Sequence, residues 1–174
     1  MNFIPTKLKG LWIIQPQPHK DDRGFFARTF CAQEFSAHGL ADRFVQCNTS
    51  WNSHKGTLRG LHFQLPPSSE VKLVRCTAGA VVDVIVDLRP ESPTYLQSIA
   101  VKLSATNRLA LYIPQMFAHG FQTLEDSTEI FYQMSDFYAP KLDRGLRYDD
   151  PKLGIDWPLP VASISEQDLN WPLL

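Results

Sequence analysis

The sequence predicts an all-β protein folded as a two-sheet jelly roll, and three observations carry that prediction. Long patterns of period 3.6 are nearly absent. Short runs rich in β-branched and aromatic residues recur at roughly even spacing. Between them stand 13 prolines together with Gly, Asp and Ser, the residues that end strands and build turns. The clearest strands are Val71–Cys76, Ala80–Leu88, Ser98–Leu103, Arg108–Ile113 and Glu129–Met134. In the second, Val82, Val84 and Val86 share one face and Asp83, Ile85 and Asp87 the other, so one side belongs to a core and the other to water or a polar cavity. Two short helices interrupt the pattern: Cys31 to His38, stopped by Gly39, and Ser165 to Leu169. From Tyr148 the chain is rich in Asp, Pro and Trp and is expected to wrap over the strands.

No repeat, low-complexity tract or linker divides the chain, so residues 1–174 are expected to form one domain with a substantial core. With 44% hydrophobic and 20% charged residues the composition is that of a soluble globular protein. A net charge of -1 gives no basic field for nucleic acid and no polybasic run for an anionic membrane. No apolar run approaches the ~20 residues that span a bilayer, and the amino terminus lacks the layout of a signal peptide. Cys31, Cys47 and Cys76 are odd in number and form no CxxC pair, which suits reduced cytoplasmic thiols acting as small buried hydrophobes.

The chemistry centres on Leu58-Arg59-Gly60-Leu61-His62-Phe63-Gln64. In an extended segment Leu58, Gly60, His62 and Gln64 share one face and Arg59, Leu61 and Phe63 the other. An imidazole between a glycine and an amide is a poor way to build a plain core, and Gly60 lets another backbone or a ligand come close. Four further features join it: Lys72 on the face of Val74 in an apolar strand, Tyr132 midway along another, His119 delivered among apolar residues by the turn after Ile113, and Arg23 with Phe25 and Phe26 on a turn suited to a phosphate and a flat ring. Each has a bland alternative, as an exposed strand cation, a core tyrosine, a structural histidine or a solvated turn. The position two beyond His62 is Gln64, and no His-x-His or His-x-x-x-His occurs, so no metal is expected. A Gly-rich phosphate loop, a GxSxG elbow and a dinucleotide fingerprint are absent too.

Taken together, six ordered segments resemble one family. Asp21-Asp22-Arg23-Gly24-Phe25-Phe26, Leu58 to Gln64, Lys72-Leu73-Val74-Arg75, Phe117-Ala118-His119-Gly120-Phe121, Asp149-Asp150-Pro151 and Ile155-Asp156-Trp157-Pro158 recur in this order in the dTDP-4-dehydrorhamnose 3,5-epimerases. The resemblance implies a cupin-type jelly roll (a double-stranded β-helix), a homodimer, no metal or organic cofactor, and a nucleoside-diphosphate 4-keto-6-deoxyhexose as substrate. By the same resemblance His62 is the general base, Asp168 orients it, Tyr132 is the acid on the opposite sugar face and Lys72 lies near the keto oxygen. Arg59 and His119 match binders of diphosphate and sugar. Arg23, Phe26, Gln46 and Asn48 match nucleotide contacts, the amino-terminal ones reaching a neighbouring subunit's site; Phe137 matches an aromatic offered to the base, and Asp143 a further substrate contact.

The chain departs from the family pattern at Arg28, where a glutamate is usual, at Gln167, where lysine is common, and at Cys47, where aspartate is common. Arginine only donates, so Arg28 cannot accept from thymine N3–H; it suits an acceptor edge such as cytosine's, or a phosphate. These changes fall at the nucleotide end and spare the reacting centre. Inversion of C3 alone or C5 alone, a CDP-linked ketosugar, and a non-catalytic cupin that only binds a sugar nucleotide are the alternatives.

Overall fold

The computed structural model describes residues 1–174. Its strands are β1 (Asn2–Pro5), β2 (Trp12–Gln15), β3 (His19–Asp21), β4 (Gly24–Phe26), β5 (Gln46–Asn52), β6 (Leu58–Gln64), β7 (Lys72–Ala78), β8 (Ala80–Asp87), β9 (Ser98–Ser104), β10 (Ala110–Ile113), β11 (Phe117–Thr123), β12 (Thr128–Met134) and β13 (Asp143–Gly145); the helices are α1 (Ala32–Ala37) and α2 (Glu166–Leu169). Two antiparallel sheets face each other, one ordered β1-β2-β10-β7-β12-β5 and the other β13-β6-β11-β8-β9, with β3 and β4 forming a separate hairpin. Crossing between sheets, rather than between neighbours, is what a jelly roll requires.

The main core lies between the sheets. Val74, Cys76, Leu111, Ile113 and Ile130 of the first sheet meet Val81, Ile85, Leu103, Phe117 and Phe121 of the second. Strand alternation alone selects these residues. Outside the first sheet, Phe35 of α1 packs with Leu73, Ala110 and Tyr112. Outside the second, Val84 and Val86 are covered by Leu146 and Leu153, with Ile155 and Trp157 against them. The carboxy-terminal segment therefore wraps over the strands as expected, and Gln122, buried beneath it, exchanges hydrogen bonds with the backbone of Leu159.

β8 differs from expectation. Both its faces are buried, and its two carboxylates point between the sheets, fully enclosed. Asp87 is held by Arg89, Ser92 and Thr94, and although burial opposes ionisation, these hydrogen bonds keep its carboxyl well below the usual range. Arg108 does not start a strand: it sits at φ +55° in the preceding turn, and β10 begins at Ala110. Of the cysteines only Cys76 is a buried hydrophobe, its thiol pushed up to about 11 by burial; Cys31 is half-buried and Cys47 exposed, because alternation turns Gln46 and Asn48 inward instead. No helix is long and apolar enough to cross a membrane.

Candidate active site

At one end of the sandwich the inner positions cease to be apolar. Two adjoining cavities of about 380 and 350 Å³ open there, and both are lined by His62, Lys72, Tyr132 and Gln167. Lys72 and Tyr132 continue, on β7 and β12, the inner faces that carry Val74 and Ile130. His62 comes from β6 in the facing sheet. The imidazole therefore approaches this space from one wall, the ammonium and phenol from the other.

The histidine is held by a carboxylate from the end of the chain. Nε2 of His62 lies 2.6 Å from Oδ1 of Asp168, while Nδ1 makes no hydrogen bond within the protein. A neutral ring donating Nε2–H to Asp168 leaves the Nδ1 lone pair free to take a proton. Asp168 is 3% exposed. Burial acts to raise its carboxyl, but the hydrogen bond from His62, with the Gly60 N–H at 3.2 Å, outweighs it, so the pKa falls below the ordinary value. Ser165 caps α2 by accepting the Asp168 N–H at 3.1 Å, and a parallel bridge from Ser163 to Thr57 fixes this segment on the start of β6.

Gly60 serves close approach. A Cβ there would lie 2.5 Å from the Cα of Gly120 and 2.9 Å from the carbonyl oxygen of His119, and its φ is +120°. Between His119 and Phe121 of β11 the register against β6 slips, so that Arg59 and His62 pair with residues only two apart. This bulge overturns the expected alternation: Arg59 lines the same cavity as His62 and His119. Its Nε donates to Asn52 at 2.7 Å. Nε2 of His119 donates to Oδ2 of Asp83 at 3.0 Å, and the other carboxylate oxygen has no hydrogen-bond partner of its own. Complete burial raises the Asp83 pKa, only partly countered by His119.

Lys72 is no exposed-face residue. Its side chain is 14% exposed and pairs with Glu70 at 2.8 Å. The larger cavity is also lined by Gln46, Asn48 and Asp143. Gln64, set by the sequence on the face of His62, is in that lining; sequence reasoning passed over Glu70, Asp136 and Tyr138 there, and Ser50 in the other. The spacing of Glu70 and Lys72, two apart at a strand start, was the available signal for Glu70. Tyr138 donates its hydroxyl to Asp143 at 3.3 Å; partial burial and that carboxylate push its phenol up. No cluster of three or more His, Cys, Asp or Glu is arranged to hold a metal ion.

Four expected residues lie outside both cavities. Phe137 is 64% exposed and contributes only backbone groups, its carbonyl to Gln64 and its N–H to Asp136. Arg23 pairs with Asp21 on the exposed β3–β4 hairpin, Phe26 is 73% exposed, and Arg28 pairs with Glu34 at 3.0 Å.

Residues 5–174 match the sequence profile of dTDP-4-dehydrorhamnose 3,5-epimerase. The dTDP-4-dehydrorhamnose 3,5-epimerase of Methanothermobacter thermautotrophicus is 46% identical over 97% of this chain and 92% of its own length. Among solved structures, the dTDP-4-dehydrorhamnose 3,5-epimerase of Bacillus anthracis with TDP and PPi bound superposes with a TM-score of 0.96 at 39% identity, covering 99% of both chains. The dTDP-6-deoxy-D-glucose-3,5-epimerase of Legionella pneumophila in complex with dTDP-4-keto-L-rhamnose does so at 0.93 and 43% identity, over 99% of this chain and 92% of that one. The two facing antiparallel sheets are thus a cupin-type jelly roll, and this chain belongs to the dTDP-4-dehydrorhamnose 3,5-epimerase family.

Proposed function

We propose that this chain is an isomerase that inverts C3 and C5 of dTDP-4-keto-6-deoxyglucose, serving dTDP-rhamnose synthesis. The observation that carries the reading is the confrontation of His62 on one sheet with Tyr132 and Lys72 on the other, around a space shared by all three. Both carbons flank the C4 ketone, so one arrangement serves both. Nδ1 of His62 takes the proton from carbon, and the C–H electrons form the C=C bond of an enolate while the carbonyl π pair moves onto oxygen. The ammonium of Lys72, itself largely buried, stabilises that oxyanion. The phenol of Tyr132 then delivers a proton to the opposite face of the carbon, and exchange with solvent restores both groups.

Arg59 and His119 offer cationic and donor groups to the diphosphate and sugar, Gln46, Asn48 and Asp143 line the way for the nucleotide, and Gln167, which lines both cavities, stands beside the reacting centre rather than at the nucleotide end alone. A homodimer accounts for Arg23, Phe26 and Arg28: exposed on their own protomer, they are free to contact nucleotide in a neighbour's site. Thymidine is favoured by the TDP and dTDP-4-keto-L-rhamnose held by the related structures.

Incubation with dTDP-4-keto-6-deoxyglucose in D2O, followed by NMR, tests the reading. Two deuterons, at C3 and C5, are expected, and none with His62→Ala. A single deuteron would make this a monoepimerase, and faster turnover of the CDP-linked sugar would displace thymidine. Unchanged deuterium uptake in His62→Ala would remove His62 from the base role.

A further inference from the structure

We infer that Glu70 is a positioning residue for Lys72, tying the ammonium at the reacting end of the cavity to the segment at its mouth. The inference rests on the proposed role of Lys72 and extends it to a residue outside the family motifs. Glu70 stands just before β7, its side chain 5% exposed. Oε1 lies 2.8 Å from the ammonium of Lys72 in an ion pair, and Oε2 accepts from the amide of Gln64 at 2.7 Å. Gln64 is 4% exposed. Its Nε2 divides its two hydrogens among Glu70 and the carbonyls of Ser68 and Phe137, the last two at 2.9 and 3.3 Å, and its Oε1 accepts the Ala139 N–H at 2.6 Å. The orientation of that amide is therefore fixed, and it presents a donor to Glu70.

Only a residue that accepts on both sides fits between two donors. A carboxylate does; an amide would turn its NH2 against either the ammonium or Gln64. The consequence falls on Lys72, whose long stem has many rotamers and whose ammonium has three donors. The ion pair with Glu70 anchors the ammonium at the start of β7 and leaves its donors to the cavity that Lys72 and His62 both line. Pairing also lets a largely buried cation stand without an uncompensated charge. Because Gln64 grips the backbone at Phe137 and Ala139, on either side of Tyr138, the network joins the reacting centre to the aromatic residue at the cavity mouth.

A double-mutant cycle between Glu70→Ala and Lys72→Ala, read as kcat and KM for dTDP-4-keto-6-deoxyglucose, tests this. Removing a donor to a developing oxyanion outright costs about 10²–10³-fold, so displacing it is expected to lower kcat by about tenfold or more with KM within about threefold. In the Lys72→Ala background, Glu70→Ala should cost less than about twofold, since no ammonium remains to be placed. Wild-type kcat in Glu70→Ala, or a loss of the same size with and without Lys72, would overturn the inference, the latter by showing a merely structural role. If Glu70→Ala does not fold, Glu70→Gln carries the same cycle, because it keeps size and mismatches one of the two bonds. A wild-type enzyme that exchanges no deuterium, or an inconsequential Lys72→Ala, would instead defeat the proposed activity or the role of Lys72.

Discussion

Asp168→Asn is the substitution on which the proposed base is most exposed to test. Three donors converge on the Asp168 carboxylate: His62 Nε2 at 2.6 Å and Trp171 Nε1 at 3.4 Å on Oδ1, and the Gly60 N–H at 3.2 Å on Oδ2. Asparagine has one acceptor oxygen to offer them. If that oxygen keeps the His62 bond, the buried Gly60 N–H faces an NH2 group, at a cost of about 1–3 kcal/mol in stability. Exchanging a charge-assisted for a neutral hydrogen bond loses about 1–2 kcal/mol of support for the imidazolium, or roughly 5- to 30-fold in rate. If the amide turns instead, its NH2 faces Nε2, the ring proton moves to Nδ1 and the free base is gone, which costs up to ~10⁴-fold in comparable carboxylate–histidine pairs. Turnover is thus expected to fall at least fivefold, followed as deuterium entry at C3 and C5. The pH dependence has a definite sign. Because the native Asp168 pKa is depressed, its stabilising contribution is complete above the ordinary carboxylate value and is lost as pH falls through the native one. The melting temperature of the variant should lie below wild type at pH 7, with the gap closing in acid. Turnover within threefold of wild type at an unchanged melting temperature would refute the orienting role.

Two further outcomes are expected. Tyr132→Phe should reduce epimer formation by about 10²–10⁴-fold while deuterium still exchanges with retention, because His62 remains to remove and return the proton on its own face; inversion at the wild-type rate would take Tyr132 out of the acid role. Asp83→Asn should lower turnover by about tenfold through loosening of His119, yet leave the melting temperature at pH 7 no lower than wild type. Burial raises the Asp83 pKa above its unfolded value, so ionised Asp83 costs stability above that native pKa and costs nothing below the unfolded one; a clear drop in melting temperature at pH 7 would contradict this.

The strand pattern revealed most of the sandwich because inner positions alternate strictly. Val74 and Cys76, or Val81 and Ile85, can be picked out by counting in twos. What counting could not supply was the second cover. The outward valines of β8 read as core because they are core, but to a layer made by Leu146, Leu153 and Trp157, far along the chain and without periodicity. Asp83 and Asp87 therefore read as a face in water or a polar cavity when they are enclosed, each bound to a partner that no local pattern announces: a histidine 36 residues away for Asp83, and for Asp87 the loop that follows it. Short stretches of low regularity, such as Arg108 at positive φ, were read as strand because side-chain type carries little trace of a single turn residue.

The site was legible by residue type and illegible by geometry, and β6 shows why. Strict alternation sets Arg59 and His62 on opposite faces, an arrangement in which one of them has no place in a cavity. The register slip against β11 brings both inward. That slip depends on two glycines meeting across strands, Gly60 and Gly120, each so close to the other's strand that a single Cβ would intrude. Either glycine alone reads as an ordinary strand weakness. The same reasoning separates Phe137 from Tyr138. Both are exposed aromatics beside a strand end, and Tyr138 meets Asp143 and the cavity where Gln64 grips the backbone at Phe137 and Ala139 and Gln46 accepts the Tyr138 N–H. Chemistry was written in single residues, whereas the facing of those residues was written in pairs that lie far apart in sequence. A family resemblance supplies such pairs at once, because it encodes the three-dimensional solution that local periodicity lacks.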